Sequence, residues 1–97
     1  MELSVVVPIL NEQENLLELH KRLSKTLNTL TKTYEIIAID DGSTDNSFSI
    51  LKEIQQKDPH LRIIKLRRNF GQHPATFAGF ENSKGEIVIS IDADLQN

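Results

Sequence analysis

Glu86-Ile87-Val88-Ile89-Ser90-Ile91-Asp92-Ala93-Asp94-Leu95-Gln96-Asn97 is the stretch whose reading decides the fold. Its first half is short, apolar and β-branched, the pattern of a buried parallel strand. Its second half brings Asp92 and Asp94, one residue apart, to the rim of the sheet that such a strand would join. Hard oxygen ligands at this spacing suit Mg²⁺ or Mn²⁺, above all when a diphosphate supplies the remaining ligands. Acidic turns after strands are common, so an isolated Asp-x-Asp is more simply a solvated loop. The rest of the chain supplies the context that changes this reading.

Working back from this strand, Ser83-Lys84-Gly85 ends a helix that begins near Pro74 and carries Ala75, Ala78 and Gly79, small residues that let a helix lie close on a sheet. Before it, Leu61 to Leu66 reads as a third strand, followed by the loop Arg67-Arg68-Asn69-Phe70-Gly71-Gln72-His73. Phe48, Leu51 and Ile54 give the preceding helix its apolar stripe, and Asp58-Pro59 stops it. Tyr34 to Ile39 reads as a second strand that runs into Asp40-Asp41-Gly42-Ser43-Thr44-Asp45. There Gly42 permits a tight turn, and Asp45 is more simply a helix cap than a ligand. Side chains alternate along an extended segment, so only one of Asp40 and Asp41 faces a given side, and Asp41 is the favoured one. Leu3 to Pro8 is a first strand. Leu16, Leu19, Leu23, Leu27 and Leu30 then recur at steps of three and four, one face of an amphipathic helix.

The order is βαβαβαβ with short connections. It predicts an α/β, Rossmann-like parallel sheet with strand order 3-2-1-4 and helices on both faces. The winding reverses between strands 1 and 4, where ligands of open α/β sheets bind at the carboxyl ends of the strands. Glu12, Asp41, Asp92 and Asp94 then share one rim, on neighbouring strands roughly 4.8 Å apart. Carboxylates accept from the N–H edge of a base or from ribose hydroxyls, and the metal pair would hold phosphate oxygens beside them. A nucleoside over strands 1 and 2, with diphosphate and metal at strand 4, is the expected arrangement. No Gly-x-Gly-x-x-Gly follows strand 1 and no Gly-x-x-x-x-Gly-Lys-Ser/Thr occurs, so phosphate handling falls to a divalent cation. Arg67 and Arg68 read equally well as phosphate contacts or as solvated charges, whereas His73, with no partner identifiable in sequence, reads more simply as solvated than as a phosphate contact. His20 and His60 lie away from the rim and read as structural or solvated, and Phe70, Phe77 and Phe80 as packing.

Ninety-seven residues with a formal net charge of −3 make one small domain without global attraction to nucleic acid. A chain of this size buries roughly 60–65% of its unfolded surface, enough for a modest core. The absence of cysteine excludes disulfides and thiolate chemistry. With no basic leader and no apolar run of about 20 residues, a cytoplasmic domain is expected.

Val7-Pro8-Ile9-Leu10-Asn11-Glu12, Asp40-Asp41-Gly42-Ser43-Thr44-Asp45 and Asp92-Ala93-Asp94-Leu95-Gln96 resemble, in order and spacing, the amino-terminal donor half of inverting family 2 glycosyltransferases of GT-A fold. The Arg67-to-Gly71 loop and the helix after it look most like the branch that loads a sugar onto a polyprenyl or dolichyl phosphate. The resemblance covers essentially all of residues 1–97. It implies nucleoside contacts at Pro8, Leu10, Glu12, Ile39 and Asp41, and donor contacts at Asp92, Ala93, Asp94 and Gln96. It further implies Mg²⁺ or Mn²⁺ at Asp92, Asp94 and Gln96, with Asp94 the stronger candidate for direct contact.

The implied reaction is attack by a lipid phosphate oxygen on the anomeric carbon of a UDP- or GDP-sugar, in a parent enzyme at the cytoplasmic face of a membrane. Family members run well beyond the Asp-x-Asp, so the expectation is of the donor half alone. Such a half lacks a catalytic base, is inactive in transfer, and exposes an edge of its sheet that invites self-association. Two other classes compete. A receiver domain would need acidic residues after strand 1 and an aspartate after strand 3, where this chain has Asn11-Glu12 and Arg67-Arg68. A non-catalytic nucleotide-binding or assembly module remains the alternative.

Overall fold

The computed structural model describes residues 1–93. Two apolar strands form its centre. β1 (Leu3–Ile9) and β2 (Tyr34–Asp40) pair in parallel from Leu3 against Tyr34 to Ile9 against Asp40, and all seven residues of β2 are buried. β3 (Leu61–Lys65) lies outside β2 and β4 (Ile87–Ser90) outside β1, giving the parallel order β3-β2-β1-β4. This is the predicted order, and it follows from right-handed crossovers between strands that each need a helix on one face.

The helices α1 (Leu16–Leu30), α2 (Ser47–Lys57) and α3 (Gln72–Asn82) cover both faces. Alternation divides the core between them. Val5, Val7, Ile9, Ile36 and Ala38 meet Leu16, Leu19, Leu27, Leu51 and Ile54 of α1 and α2. Val6, Ile37 and Ile39 meet Ala75 of α3 on the other face. α3 lies close because Gly79 has no side chain: a methyl there would fall inside van der Waals contact of Val6 Cγ1. Val6 is fully buried and has nowhere to retreat. The Gly79→Ala protein is therefore expected to lose about 1–3 kcal/mol in urea unfolding.

α1 is pinned to the turn between α2 and β3. His20 Nε2 lies 2.6 Å from Asp58 Oδ2, and His60 Nδ1 lies 2.9 Å from Asp58 Oδ1. The His60 ring stacks on Tyr34 at 4.0 Å between centroids. Both histidines serve as structural clasps. No helix among the described residues is long and apolar enough to cross a membrane.

Three expectations fail. β4 is not the buried strand that its composition suggests, and is exposed as expected of strand 4 in a donor half alone: Ile87 is 63% and Ile89 42% exposed. It sits at the sheet edge beside β1 alone, and the helices on the Ile87 and Ile89 face pack toward the β1–β3 side. Leu30, the last residue of the α1 stripe, is exposed, because the chain there leaves the sheet to turn into β2. Phe70, Phe77 and Phe80 are also exposed rather than packed, since α3 spends its sheet-facing positions on Ala75 and Gly79.

Candidate functional site

At the carboxyl end of β1 the chain turns sharply, with Asn11 at φ +53°. Asparagine tolerates this left-handed conformation better than most residues. Pro8 and Leu10 line the mouth of a cavity there, and Glu12 follows, its Oε1 accepting from Asn15 Nδ2 at 2.9 Å. At the end of β2 the two aspartates part. Asp40 is fully buried: Oδ1 accepts the Ser43 N–H at 3.0 Å, and Oδ2 has no partner among the described residues.

Asp41 lines the cavity, and its carboxylate takes two backbone N–H groups, Phe70 on Oδ1 at 2.8 Å and Gly71 on Oδ2 at 3.0 Å. Gly42 explains how that loop comes so close. It has φ +78°, and a Cβ there would collide with the Arg68 and Asn69 backbone. Asp45 stands one residue before the N-cap, Asn46, and its Oδ1 accepts the Ser47 N–H at 2.8 Å at the start of α2. Burial raises the Asp45 pKa, but bonds from the Ser47 hydroxyl and from the Ser47 and Gln13 N–H groups outweigh it and hold the carboxyl below its usual value.

Beyond β4, Asp92 is exposed and accepts from Gln72 Nε2 at 2.9 Å, while Ala93 is buried. The result is one cavity of about 450 Å³ at the carboxyl ends of β1, β2 and β4. Of the residues expected at the site, Pro8, Leu10, Glu12, Asp41, Asp92 and Ala93 line it. Ile39 is fully buried beneath, in the core shared with α3. Asp94 and Gln96 lie outside the described residues. Ile9, Asn69, Gly71 and Gln72 complete the wall and were not expected there. β3 is at the sheet edge, but α3 packs over β1 and β2, so its lead-in loop must cross the rim at Asp41. The signal available in the sequence was the crossover itself.

The electrostatics are one-sided. Glu12, Asp41 and Asp92 face the cavity, and among the described residues no lysine or arginine lines it. Arg68 instead places its guanidinium 4.6 Å from the centroid of the Phe70 ring. Such a site suits ligands rich in N–H and hydroxyl donors, and repels a phosphate unless a cation stands between. Among the described residues no three His, Asp or Glu side chains converge to hold a metal ion. Asp92 supplies hard oxygen of the type Mg²⁺ and Mn²⁺ prefer.

Similar architectures occur among solved structures. TarS residues 1–349 from S. aureus, in complex with UDP, superposes with a TM-score of 0.83 at 29% identity over 97% of this chain. Glucosyl-3-phosphoglycerate synthase from Mycobacterium tuberculosis, in complex with Mn²⁺, UDP and phosphoglyceric acid, gives 0.71 at 27% identity over 96%. The mannosyltransferase PcManGT from Pyrobaculum calidifontis, in complex with GDP-Man and Mn²⁺, shares the fold with a TM-score of 0.84 at 24% identity over 96%. The chain spans only 28%, 33% and 27% of these proteins respectively. The profile of glycosyl transferase family 2 matches residues 4–97. A 3-2-1-4 parallel sheet with an acidic cavity at its switch point, matched along nearly its whole length by that profile, belongs to glycosyl transferase family 2 and forms the amino-terminal part of a GT-A fold.

Proposed function

We propose that residues 1–97 form the nucleotide-sugar donor site of an inverting glycosyltransferase that uses Mg²⁺ or Mn²⁺. The observation that carries this reading is the cavity lined by Glu12, Asp41 and Asp92 without a basic side chain among the described residues. A UDP- or GDP-sugar meets its needs at both ends. Glu12 and Asp41 accept from the base and ribose, with Pro8 and Leu10 against the flat face of the nucleoside. Asp92, with Asp94 and Gln96, would hold the divalent ion, which would offset repulsion between carboxylates and diphosphate. That ion supplies Lewis-acid stabilisation of the leaving diphosphate. Similarity to proteins solved with UDP, in one case also with Mn²⁺, supports both parts of the assignment.

In the parent enzyme the acceptor on this reading is a polyprenyl phosphate, whose oxygen attacks the anomeric carbon with inversion. The residues described here bind, orient and partly dehydrate the donor. Transfer by the 97-residue chain alone is not expected, and a purified chain that glycosylates a polyprenyl phosphate would overturn that part.

Calorimetric titration of UDP and GDP, with and without Mn²⁺, tests the whole reading. Binding is expected to depend on Mn²⁺, and Asp94→Ala is expected to raise Kd by about tenfold or more, the equivalent of about 1.4 kcal/mol. Metal-independent binding unaffected by Asp94→Ala would favour a non-catalytic nucleotide-binding module. A folded chain that binds neither nucleotide would refute the donor site.

A further inference from the structure

The loops that follow β1 and β2 are laced together by hydrogen bonds running in both directions. Asn11 is at the centre. Its N–H donates to Ser43 Oγ at 3.0 Å, and its Oδ1 accepts the N–H groups of Thr44 at 2.8 Å and Asp45 at 3.3 Å. The next two residues continue the pattern. The Glu12 N–H donates to the fully buried Ser47 Oγ at 2.9 Å, and the Gln13 N–H to Asp45 Oδ2 at 3.3 Å. Gln13 Oε1 in turn accepts the Asn46 N–H at 3.0 Å. Most of these bonds satisfy backbone groups that have no strand or helix partner at a turn.

Asn11 is also the one non-glycine residue with positive φ among the described residues. Such a conformation costs on the order of 1 kcal/mol and persists only where the surroundings over-determine it. Here the surroundings are the 43–45 turn. Two of the three cavity carboxylates stand on either side of this lacing: Glu12 directly follows Asn11, and Asp41 directly precedes the Gly42 turn into Ser43. Asp41 is also held by its own N–H, which donates to the Ile9 carbonyl at 2.8 Å, and by the 70–71 loop. Without the lacing the loop that carries Glu12 would lose its fixed place beside it, and a ligand that needs both would have to order that loop on binding.

We propose that Asn11 is the positioning residue of the nucleoside end of the cavity, setting Glu12 and Asp41 in one fixed arrangement before the ligand arrives. The inference rests on the donor-site reading above. Its contacts are to the protein, and its effect on a nucleotide is exerted through Glu12 and Asp41.

Two substitutions separate the parts of this role. Asn11→Gly keeps the positive φ and removes the acceptor. Asn11→Asp keeps an acceptor and tolerates the same φ. Amide hydrogen exchange, urea unfolding and titration with UDP and GDP in Mn²⁺ are to be measured on all three proteins.

In Asn11→Gly, the Thr44 and Asp45 amides are expected to exchange ~10-fold faster while Val6 and Ile37 in the central strands keep their protection; nucleotide affinity falls by a similar factor, as expected for losing one or two hydrogen bonds. Asn11→Asp is expected to restore both loop protection and affinity to within ~3-fold of the parent chain. Unchanged Thr44 exchange in Asn11→Gly would overturn the proposal. So would loop deprotection with undiminished affinity, or equal loss of protection in the central strands, which would mark Asn11 as a residue of general stability. If the parent chain protects Thr44 but binds neither nucleotide, the donor-site reading falls and takes the positioning role with it, leaving the lacing as architecture.

Discussion

Replacing Asp41 with alanine is expected to abolish nucleotide binding and to lower stability by about 2–4 kcal/mol, since two hydrogen bonds to a carboxylate are lost together. The Asp41 side chain is bonded to the Phe70 and Gly71 N–H groups, and the residue is only 2% exposed. Truncation leaves the Phe70 N–H without its acceptor and the Gly71 N–H with Asn69 Oδ1 alone, at 2.9 Å, where the crossover loop meets the Gly42 turn. Asn69, Gly71 and Gln72 would then be free to drift from the cavity wall they form.

Asp41→Asn separates charge and shape. Its single oxygen can satisfy one N–H, but its amide group points a donor at the other, so roughly half of the stability loss is expected to remain. Urea unfolding of the three proteins, followed by nucleotide titration of each, checks both effects. An alanine variant as stable as the parent would show that the loop is held by other contacts. Retained nucleotide affinity would remove Asp41 from the site.

Glu35→Ala is expected to cost about 3 kcal/mol, at the lower end of what breaking a buried ion pair costs, because Arg62 keeps contact with water. The Glu35 side chain is 3% exposed and its guanidinium partner 37%. Glu35 Oε1 accepts from Arg62 at 2.7 Å, while Oε2 accepts the Ser4 hydroxyl at 2.5 Å and the Lys84 N–H at 2.7 Å. Ser4 Oγ accepts the Gly85 N–H at 2.8 Å, and Arg62 also donates to the Asn82 carbonyl at 2.8 Å. One carboxylate thus ties three strands to the connection between α3 and β4. Without it, the start of β4 is held chiefly by its pairing with β1.

Acid tests the same cluster. Burial pushes the Glu35 carboxyl up, but hydrogen bonds from Ser4, Arg62 and the Lys84 N–H, with the Arg62 charge, hold it below the ordinary 4.5. A depressed folded pKa makes a contribution that is complete above the ordinary value and is lost as pH falls through the folded one. The parent chain should therefore lose stability below about pH 4.5 more steeply than Glu35→Ala or Glu35→Gln. Parallel acid-unfolding curves would show that Glu35 contributes nothing through its charge.

Much of this architecture was legible in the residues. The apolar runs at Leu3 and Tyr34, each followed by a helical stripe, and the run at Leu61, followed by a small-residue helix, lead to a parallel sheet covered on both faces. Handedness then sets the order 3-2-1-4 and brings Glu12, Asp41 and Asp92 to one rim. Asp41 rather than Asp40 faces the cavity, as alternation along an extended strand requires. The small residues of α3 likewise announced its close approach over Val6.

Other features depend on what lies beside a residue in space. The run Ile87 to Ile91 has the composition of a buried strand, but its exposure depends on how many neighbours the strand has and which helices reach it. Asn69, Gly71 and Gln72 are polar or small, and no helix or strand periodicity places them at the rim. They become cavity wall only because α3 returns across the sheet and Asp41 captures their loop. Asn11 and Glu35 are, in the sequence, ordinary polar residues at the edge of a strand and within one. Thirty or more residues of intervening chain separate Asn11 from Thr44 and Ser4 from Glu35. Periodicity records which face of an element meets the core, whereas these polar pairings are set by the packing of distant segments, and that is decided only when the chain folds.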